Sequence, residues 1–460
     1  MKDNTLIPIL IITPFFAPQS HAAMFRVHKL AKYLPKYGYR PIILTTDINY
    51  LYNSDDDLLK ELPDCVEIIR THYMEPSLRG VRMQLGGRDR TFSATKHEQE
   101  LNNTQVSRTL KLSKQPSRSG LIRTTLSSLY GSTVDYLYNI PDAYWTWALA
   151  SFSTAKELIK KYDINIMYTT ANPYSHLTLA SKLKKDLDIA WLADFRDPCG
   201  YGYKNTASNY IGQLLQNKLI TNTLNQADRI TGLSEAYRSI FSDIYNLPEE
   251  RYTFIPTGLD DEYLPMSTPD NSTKTKNIIF AGEVMPEQSS YILEVINELH
   301  NLDGDVELKF IGRAEINKPI IETIVSNISN WNVRVTFEDH MPQKSLYKLI
   351  KTSTACILAP GKSRYWWTNF AKMVDYIALG TPVIAYVPDS SEARKELSKA
   401  GNGFFLKGDD AKSEAKDIEE WLIDNSLTNE NLEYQKRYLA SSQVASFAKI
   451  FDEIRIENEK

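Results

Sequence analysis

Two charged residues stand three positions apart at the start of a predicted helix, where their side chains suit a phosphate-bearing ligand. The apolar run 355–359 predicts a buried strand, and the helix predicted over 369–380 ends at a glycine. Ligands of open α/β sheets bind at the carboxyl ends of strands, against helix N-termini. Lys372 would bring positive charge to a diphosphate there, and Asp375, one turn further on, would reach a ribose hydroxyl. Spacing alone favours the simpler interpretation, a solvated helix face.

Two aspartates and a histidine follow predicted strands in the first half of the chain. Asp194 and Asp197 come at the end of the strand that begins at residue 190, so both belong to the carboxyl edge of its sheet. A carboxylate in that position orients an acceptor hydroxyl or takes its proton. The alternative is that Asp197 caps the turn before Pro198 and that Asp194 accepts loop hydrogen bonds. His176 begins a helix after a strand and is a candidate contact for phosphate or acceptor, although a single histidine is more often structural.

These candidates depend on two series of alternating strands and helices. Strand 9–13, helix 24–34 and strand 41–46 form a βαβ pattern, which predicts a parallel sheet. The alternation continues to residue 258 and restarts at 278, after a polar stretch. The sequence therefore predicts an α/β fold of two Rossmann-like doubly wound domains facing across a cleft. The predicted parts are an N-terminal domain (1–258), a linker (259–276), a C-terminal domain (277–430) and a C-terminal helix that crosses back to the first domain (431–460).

Composition places the chain among soluble globular proteins. Its 460 residues suit two domains, with 42% hydrophobic and 24% charged residues. A net charge of −4 gives no reason to expect a nucleic-acid partner. Three widely spaced cysteines form no metal or disulfide pattern, which fits the cytoplasm. The apolar stretch near the N-terminus predicts a buried first strand rather than a signal peptide, because it is short and no cleavage site follows.

A polar, basic insertion interrupts the first domain at about 75–128. Ten Lys or Arg residues lie between 79 and 123, against three acidic residues. One interpretation is a solvated loop. The other, given equal weight, is a basic surface for anionic lipid head groups or a lipid-diphosphate acceptor, which would make the protein peripheral on the inner face of the plasma membrane.

The segment 375–385, Asp-Tyr-Ile-Ala-Leu-Gly-Thr-Pro-Val-Ile-Ala, resembles the donor-site signature of retaining GT-B glycosyltransferases, a large family with bacterial mannosyl- and glucosyltransferases. The family's acidic residue, usually Glu and here Asp375, binds the nucleotide ribose. Three further segments resemble the family in the same order along the chain. They are the opening strand and loop (13–18), the Asp-Phe-Arg-Asp-Pro loop of one subgroup (194–198) and the hinge (255–260).

Two stretches depart from the family's pattern. The strand corresponding to 280–282 is normally followed by an Arg and a Lys for the donor phosphates, whereas 283–288 carries Glu283 and Glu287 and no base. The first acid of the family's Glu-x7-Glu pair would stand near Thr368 and is absent. The phosphate charge would then be met by Lys372, Arg364, Lys362 or Arg313, or by amide groups at a helix start. We therefore expect the donor to contact a set of residues around the strand ends and that helix. They are Gly282, Arg313, Arg364, Phe370, Lys372 and Asp375.

The resemblance implies a hexosyltransferase that moves a sugar from a UDP- or GDP-linked donor to a glycan or lipid-linked acceptor. Retention, no required cofactor or metal, and a place in bacterial surface polysaccharide or glycoconjugate synthesis are part of that expectation. Two alternatives stay open: a GT-B-fold nucleotide-sugar epimerase, which needs no acceptor, and a non-catalytic partner subunit, consistent with the missing phosphate bases. An oxidoreductase is disfavoured because no Gly-x-Gly-x-x-Gly follows the first strand.

Overall fold

A computed structural model describes residues 6–20, 22–48, 54–75, 142–201, 210–265, 275–284, 286–300, 302, 304–424 and 427–458. The basic insertion predicted at 75–128 lies outside these residues except for residue 75, as do positions 266–274 of the predicted linker. The chain forms two compact units. Unit 1 comprises Met1–Gly232, Arg238–Thr253 and Phe447–Lys460, and unit 2 comprises Leu233–Tyr237 and Phe254–Ser446.

Unit 1 is built on a seven-stranded sheet in the order β3-β2-β1-β4-β5-β6-β7. The pairs from β3 to β6 are parallel. Strands covered on both faces by helices are rich in apolar residues, which is why β1 reads as a continuous apolar run. Strands β4 and β5 are buried at every position. The strands are β1 (Ile7–Ile12), β2 (Tyr39–Thr46), β3 (Glu67–Thr71), β4 (Ile166–Ala171), β5 (Ala190–Phe195), β6 (Arg229–Gly232) and β7 (Tyr252–Phe254).

Helices alternate with these strands as the sequence predicts. The structure has a helix over Ser175–Leu187, the predicted range, and the left-handed Asp188 (φ 51°) ends it. The helices of this part of the chain are α1 (Phe25–Tyr33), α2 (Asp57–Lys60), α3 (Trp145–Ala150), α4 (Phe152–Tyr162), α5 (Ser175–Leu187), α6 (Tyr210–Leu224) and α7 (Tyr237–Tyr245).

Unit 2 contains a six-stranded, wholly parallel sheet in the order β10-β9-β8-β11-β12-β13. The chain runs outward from β8 in one direction and from β11 in the other, so the order reverses between these two strands. Such a switch point is where open α/β sheets bind ligands. The strands are β8 (Thr275–Ala281), β9 (Asp305–Ile311), β10 (Arg334–Glu338), β11 (Ala355–Leu358), β12 (Val383–Ala385) and β13 (Gly403–Phe405).

Helices cover both faces of this second sheet and bury two apolar clusters against it. The helices are α8 (Pro286–Asn297), α9 (Ala314–Val325), α10 (Gln343–Thr352), α11 (Ala371–Leu379), α12 (Glu392–Ala400), α13 (Ala411–Asp424), α14 (Asn429–Lys436) and α15 (Ala440–Asn458). The predicted fold of two Rossmann-like doubly wound domains is confirmed.

The last helix, α15, is shared between the units, because unit 1 includes the chain from Phe447 onward. Its Phe447 ring lies 4.9 Å from the Arg26 guanidinium, and its Asp452 accepts a hydrogen bond of 2.6 Å from the Tyr39 hydroxyl. Unit 1 therefore takes part of its core from the far end of the sequence. Among the described helices, none is long and apolar enough to cross a membrane.

Candidate functional site

The first turn of α11 lies over the end of β8, at the switch point of the second sheet. The Lys372 ammonium is 4.0 Å from the centre of the Phe280 ring. A Cβ atom added to Gly282 would also lie 4.0 Å from that ammonium, so the glycine leaves the space beside it open. The structure thus brings together three of the predicted features, namely Lys372, Gly282 and a helix N-terminus.

Lys372 is half-buried, and no acidic side chain of the described residues pairs with it. Burial lowers the pKa of Lys372 to about 8, against a partial rise from Cys356. A positive charge that has lost much of its hydration, without a counter-ion to replace it, is stabilised strongly by an incoming anion. This electrostatic situation is the main functional signal of unit 2.

Asp375 lies one turn after Lys372, and a tyrosine of α10 orients its carboxylate. The Tyr347 hydroxyl of α10 donates a hydrogen bond to it, and burial together with this acceptor raises the pKa of Tyr347 above its ordinary value. Tyr347 is almost fully buried in the core that α10 and α11 share. A carboxylate fixed in this way is pre-organised to accept further hydrogen bonds, as from the two hydroxyls of a ribose.

Two glycine turns shape the strand ends beside Lys372. Gly282 (φ 95°) follows β8 and Gly312 (φ 85°) follows β9, both in a conformation that side chains disfavour. The buried amide of Asn317 donates to the carbonyl oxygens of both glycines, at 2.8 and 2.9 Å, and accepts from the Val284 amide at 2.9 Å. Asn317 therefore fixes both turns. Its one sequence signal is a polar residue in a largely apolar helix.

The other predicted donor residues have different environments. Arg313, at the start of α9, pairs with Glu283 at 3.5 Å, with both side chains more than a third exposed. Glu283, one of the two acids that depart from the family's pattern, thus has a basic partner within unit 2. Arg364 is exposed in the loop before α11, and no acidic partner lies near it among the described residues. Phe370 directly precedes α11, and its half-buried ring packs edge-on against Tyr365 at 6.1 Å.

In unit 1, Asp194 lies at the centre of a buried polar network. It accepts two hydrogen bonds from Arg26 (2.8 and 2.9 Å) and others from the hydroxyls of Tyr168, Thr170 and Thr231. Burial by itself would raise the pKa of Asp194, but Arg26 and these donors lower it below its ordinary value. Both charges are almost inaccessible, at 0% and 2% exposure. This geometry favours a role for Asp194 of β5 in holding α1, β4 and β6 together rather than in proton transfer.

His176 is fully buried in the first turn of α5. Burial lowers its pKa to about 3, a shift that the Thr170 backbone opposes and Arg196 reinforces, so the ring is neutral at physiological pH. Neither ring nitrogen has a hydrogen-bond partner of ordinary geometry among the described residues. The amide groups at the start of the same helix are already satisfied, because Asp142 accepts from the amides of Tyr174 and Ser175. A carboxylate of the chain itself therefore occupies the anion-binding position of α5.

Asp197 differs from Asp194 and His176, because it is exposed at the carboxyl edge of the first sheet. The Asn172 side-chain amide donates to it at 3.3 Å, and the Arg196 guanidinium donates to the Asn172 carbonyl oxygen. Of the three predicted catalytic residues, Asp197 alone combines a charged carboxylate with access from solvent. The structure does not bring Asp197, Asp194 and His176 into one hydrogen-bonded set among the described contacts.

Part of the chain matches a known protein-family model. Residues 116–263 match the family model described as Glycosyltransferase Family 4. No curated protein matches the chain.

Solved structures match over nearly the whole length. A glycosyltransferase from Rickettsia africae is 14% identical over 98% of both chains, with a TM-score of 0.58. HepE of Anabaena in complex with UDP and glucose is 12% identical over 97% of this chain and 100% of its own, with a TM-score of 0.55. The N-terminal domain of Candida albicans trehalose-6-phosphate phosphatase is 11% identical over 98% and 97%, with a TM-score of 0.53. At such identities these structures establish the fold, while the family match supports the glycosyltransferase class.

Proposed function

We propose that the protein is a glycosyltransferase that binds a UDP- or GDP-linked sugar in unit 2 and transfers the sugar, with retention, to a glycan or lipid-linked acceptor. The observation that carries this proposal is the unpaired, half-buried Lys372 at the start of α11, beside Gly282. UDP and glucose bound to HepE, a protein of the same fold, support the ligand class.

Lys372 has a direct role in this reaction. When the bond between the sugar and the diphosphate breaks, negative charge increases on the departing phosphate oxygen. The ammonium and the dipole of α11 stabilise that charge more in the transition state than in the ground state. Asp375 positions the ribose, and Gly282 lets the phosphates approach the strand end.

The acceptor belongs to unit 1 in this proposal. Asp197 is the group that orients its hydroxyl, because the carboxylate is exposed at a strand end. Asp194 and His176 are fully buried and act as positioning residues beneath that edge. The pairing of Glu283 with Arg313 gives this acid a basic partner beside the proposed phosphate site.

A thermal-shift screen of UDP-, GDP- and other nucleotide sugars tests the donor site. We expect a stabilising ligand whose effect disappears in Lys372→Ala and in Asp375→Ala. If no nucleotide raises the melting temperature of the wild type, the proposal is wrong. Incubation of the identified donor without an acceptor, followed by NMR, separates transfer from epimerisation. With an acceptor, the same NMR experiment reads the anomeric configuration of the product, and chelator treatment tests whether a metal is needed.

We also propose that the basic insertion places the enzyme on an anionic membrane surface. Ten basic residues between 79 and 123 would contribute about 1 kcal/mol each near such a surface. Reversing the charges of Arg79, Arg82, Arg88 and Arg90 should weaken co-sedimentation with liposomes that contain anionic lipid. Unchanged co-sedimentation would contradict this part of the proposal.

A further inference from the structure

The loop between β11 and α11 is unusually aromatic for a segment beside a phosphate site. Residues 361–370 read Gly-Lys-Ser-Arg-Tyr-Trp-Trp-Thr-Asn-Phe and contain no carboxylate. Tyr365, Trp366, Trp367 and Phe370 are all half-buried. Their rings lie close to one another, with centres 6.0 to 6.1 Å apart for three of the pairs. The loop therefore presents a patch of partly exposed aromatic rings.

The backbone of this loop is held in place. Tyr365 adopts a left-handed conformation (φ 63°), which a bulky side chain keeps only when its surroundings impose it. The Trp366 carbonyl oxygen accepts from the Glu392 amide at 2.8 Å, and the Gly361 amide donates to the Tyr386 carbonyl at 3.0 Å. Rings carried by a fixed backbone lose little conformational entropy when a ligand stacks on them. The arrangement is suited to binding rather than to filling a core.

The position of the loop identifies which part of the donor it meets, on the basis of the function proposed above. Along α11 the order is Phe370 before the first turn, Lys372 within it, and Asp375 one turn later. A donor with its ribose at Asp375 and its phosphates at Lys372 directs its sugar away from Asp375, toward the loop that precedes the helix. The sugar and not the nucleoside then contacts the aromatic rings.

Two polar side chains of the loop are already engaged within unit 2. Lys362 is paired with Asp389 at 2.9 Å. Asn369 donates through its amide to the Leu233 carbonyl oxygen of the same unit, at 2.8 Å. The Asn369 carbonyl oxygen is buried without a partner among the described residues. Arg364 stays exposed, so the loop offers a sugar a charged group as well as the faces of its rings.

We infer that Tyr365, Trp366 and Trp367 select a donor sugar that carries a methyl group, either the 6-deoxy methyl or the methyl of an N-acetyl group. The electron-rich faces of aromatic rings attract C–H groups, and burying a methyl group beside them removes apolar surface from water. The shared chemistry is a neutral pyranose with an apolar substituent.

Titration calorimetry on the full-length protein tests this selection with matched ligands. The probes are UDP, UDP-glucose, UDP-6-deoxyglucose and UDP-N-acetylglucosamine, with GDP, GDP-mannose and GDP-6-deoxymannose as the second series. The wild type should bind one methyl-bearing donor roughly five- to tenfold more tightly than its hydroxylated counterpart. The two methyl-bearing UDP-sugars show which source of the methyl group is preferred.

Leucine substitutions then assign the preference to the rings. The double variant Trp366→Leu and Trp367→Leu should lose it while binding UDP or GDP within twofold of the wild type. The control is Trp421→Leu, since Trp421 is a half-buried tryptophan of unit 2 that packs on Phe404 at 5.6 Å, away from the loop. It should keep the preference. If the leucine variant unfolds, the double variant Trp366→Phe and Trp367→Phe takes its place in the test. Phenylalanine keeps an aromatic face at both positions, so this variant should retain most of the selectivity.

The outcomes separate this inference from the function on which it rests. If neither UDP nor GDP binds the wild type, both the proposed function and the inference fail. If a nucleotide binds but hydroxylated and methyl-bearing donors bind equally, the inference alone is overturned. It is also overturned if the leucine variant weakens the nucleotide and every nucleotide sugar by the same factor, because the rings then contact the nucleoside.

Discussion

Replacing Lys372 with methionine should weaken nucleotide binding and at the same time stabilise the ligand-free protein. A hydrogen bond between charged groups contributes about 1.5–3 kcal/mol, so UDP or GDP should bind about 10- to 150-fold more weakly. A pKa that burial lowers from 10.5 to about 8 means that the charged form is about 3 kcal/mol less favourable in the folded protein at neutral pH. Methionine removes that cost and loses a cation–π contact with Phe280 of about 0.5–1 kcal/mol. The net gain is about 2 kcal/mol, or several degrees in Tm.

Calorimetric titration and thermal unfolding without ligand measure the two effects on the same samples. Lys351→Met is a matched control. Lys351 lies near the end of α10, and its side chain contacts the C-terminal end of α11, away from Lys372. The pKa of Lys351 is also lowered by burial, and its ammonium donates to the Leu379 carbonyl oxygen at 2.6 Å. This control should alter Tm and leave nucleotide affinity within twofold. The reasoning is refuted if Lys372→Met also leaves nucleotide affinity within twofold, because the phosphates would then be bound elsewhere.

Four further predictions depend on the described contacts. Nucleotide affinity should fall by up to about tenfold per pH unit above pH 8 as Lys372 loses its proton, and this dependence should vanish in Lys372→Met. Since the folded-state pKa lies below the unfolded value, ligand-free stability should rise between pH 8 and 10.5, as denaturant titrations at several pH values would show. Asp194→Asn should cost about 3–5 kcal/mol in urea unfolding because Arg26 stays buried without its counter-charge, and an unchanged midpoint would contradict the buried pair. Asp375→Asn should reduce the preference for UDP over 2′-deoxy-UDP in calorimetry, and an unaltered ratio would remove Asp375 from ribose recognition.

Elements with strong apolar periodicity could be predicted from the sequence. The central strands β1, β2 and β5 are buried on both sides, and helix α5 buries one apolar face, so their apolar residues mark them. Strand β3 carries no such mark, because it lies at the sheet edge and all its residues are partly exposed. Strand β13 has only three residues. These two strands could not be predicted from the sequence because their buried and exposed positions differ little in polarity.

The charged residues of the candidate site were predictable from local pattern where they are close in the sequence. Lys372 and Asp375 share one helix turn after a buried strand, so pattern and position identify them together. Arg26 and Asp194 are 168 residues apart, and nothing local to either residue predicts their buried pair. The pairing of Arg313 with Glu283 likewise depends on two strand ends that become neighbours through β8 and β9. Electrostatic partners across elements need three-dimensional structure.

The shared helix α15 also sets the order in which the protein is completed during synthesis. The hydrogen bond between Tyr39 and Asp452 joins residues 413 positions apart. At about 5–20 residues per second, a ribosome needs roughly 20 to 80 s to make the intervening chain. Over that interval unit 1 lacks Phe447 and its neighbours, although most of its own sequence has already emerged. The apolar surface of unit 1 that packs against this segment stays uncovered until the ribosome has made all of unit 2. Nascent chains stalled before residue 447 should therefore depend most on chaperones.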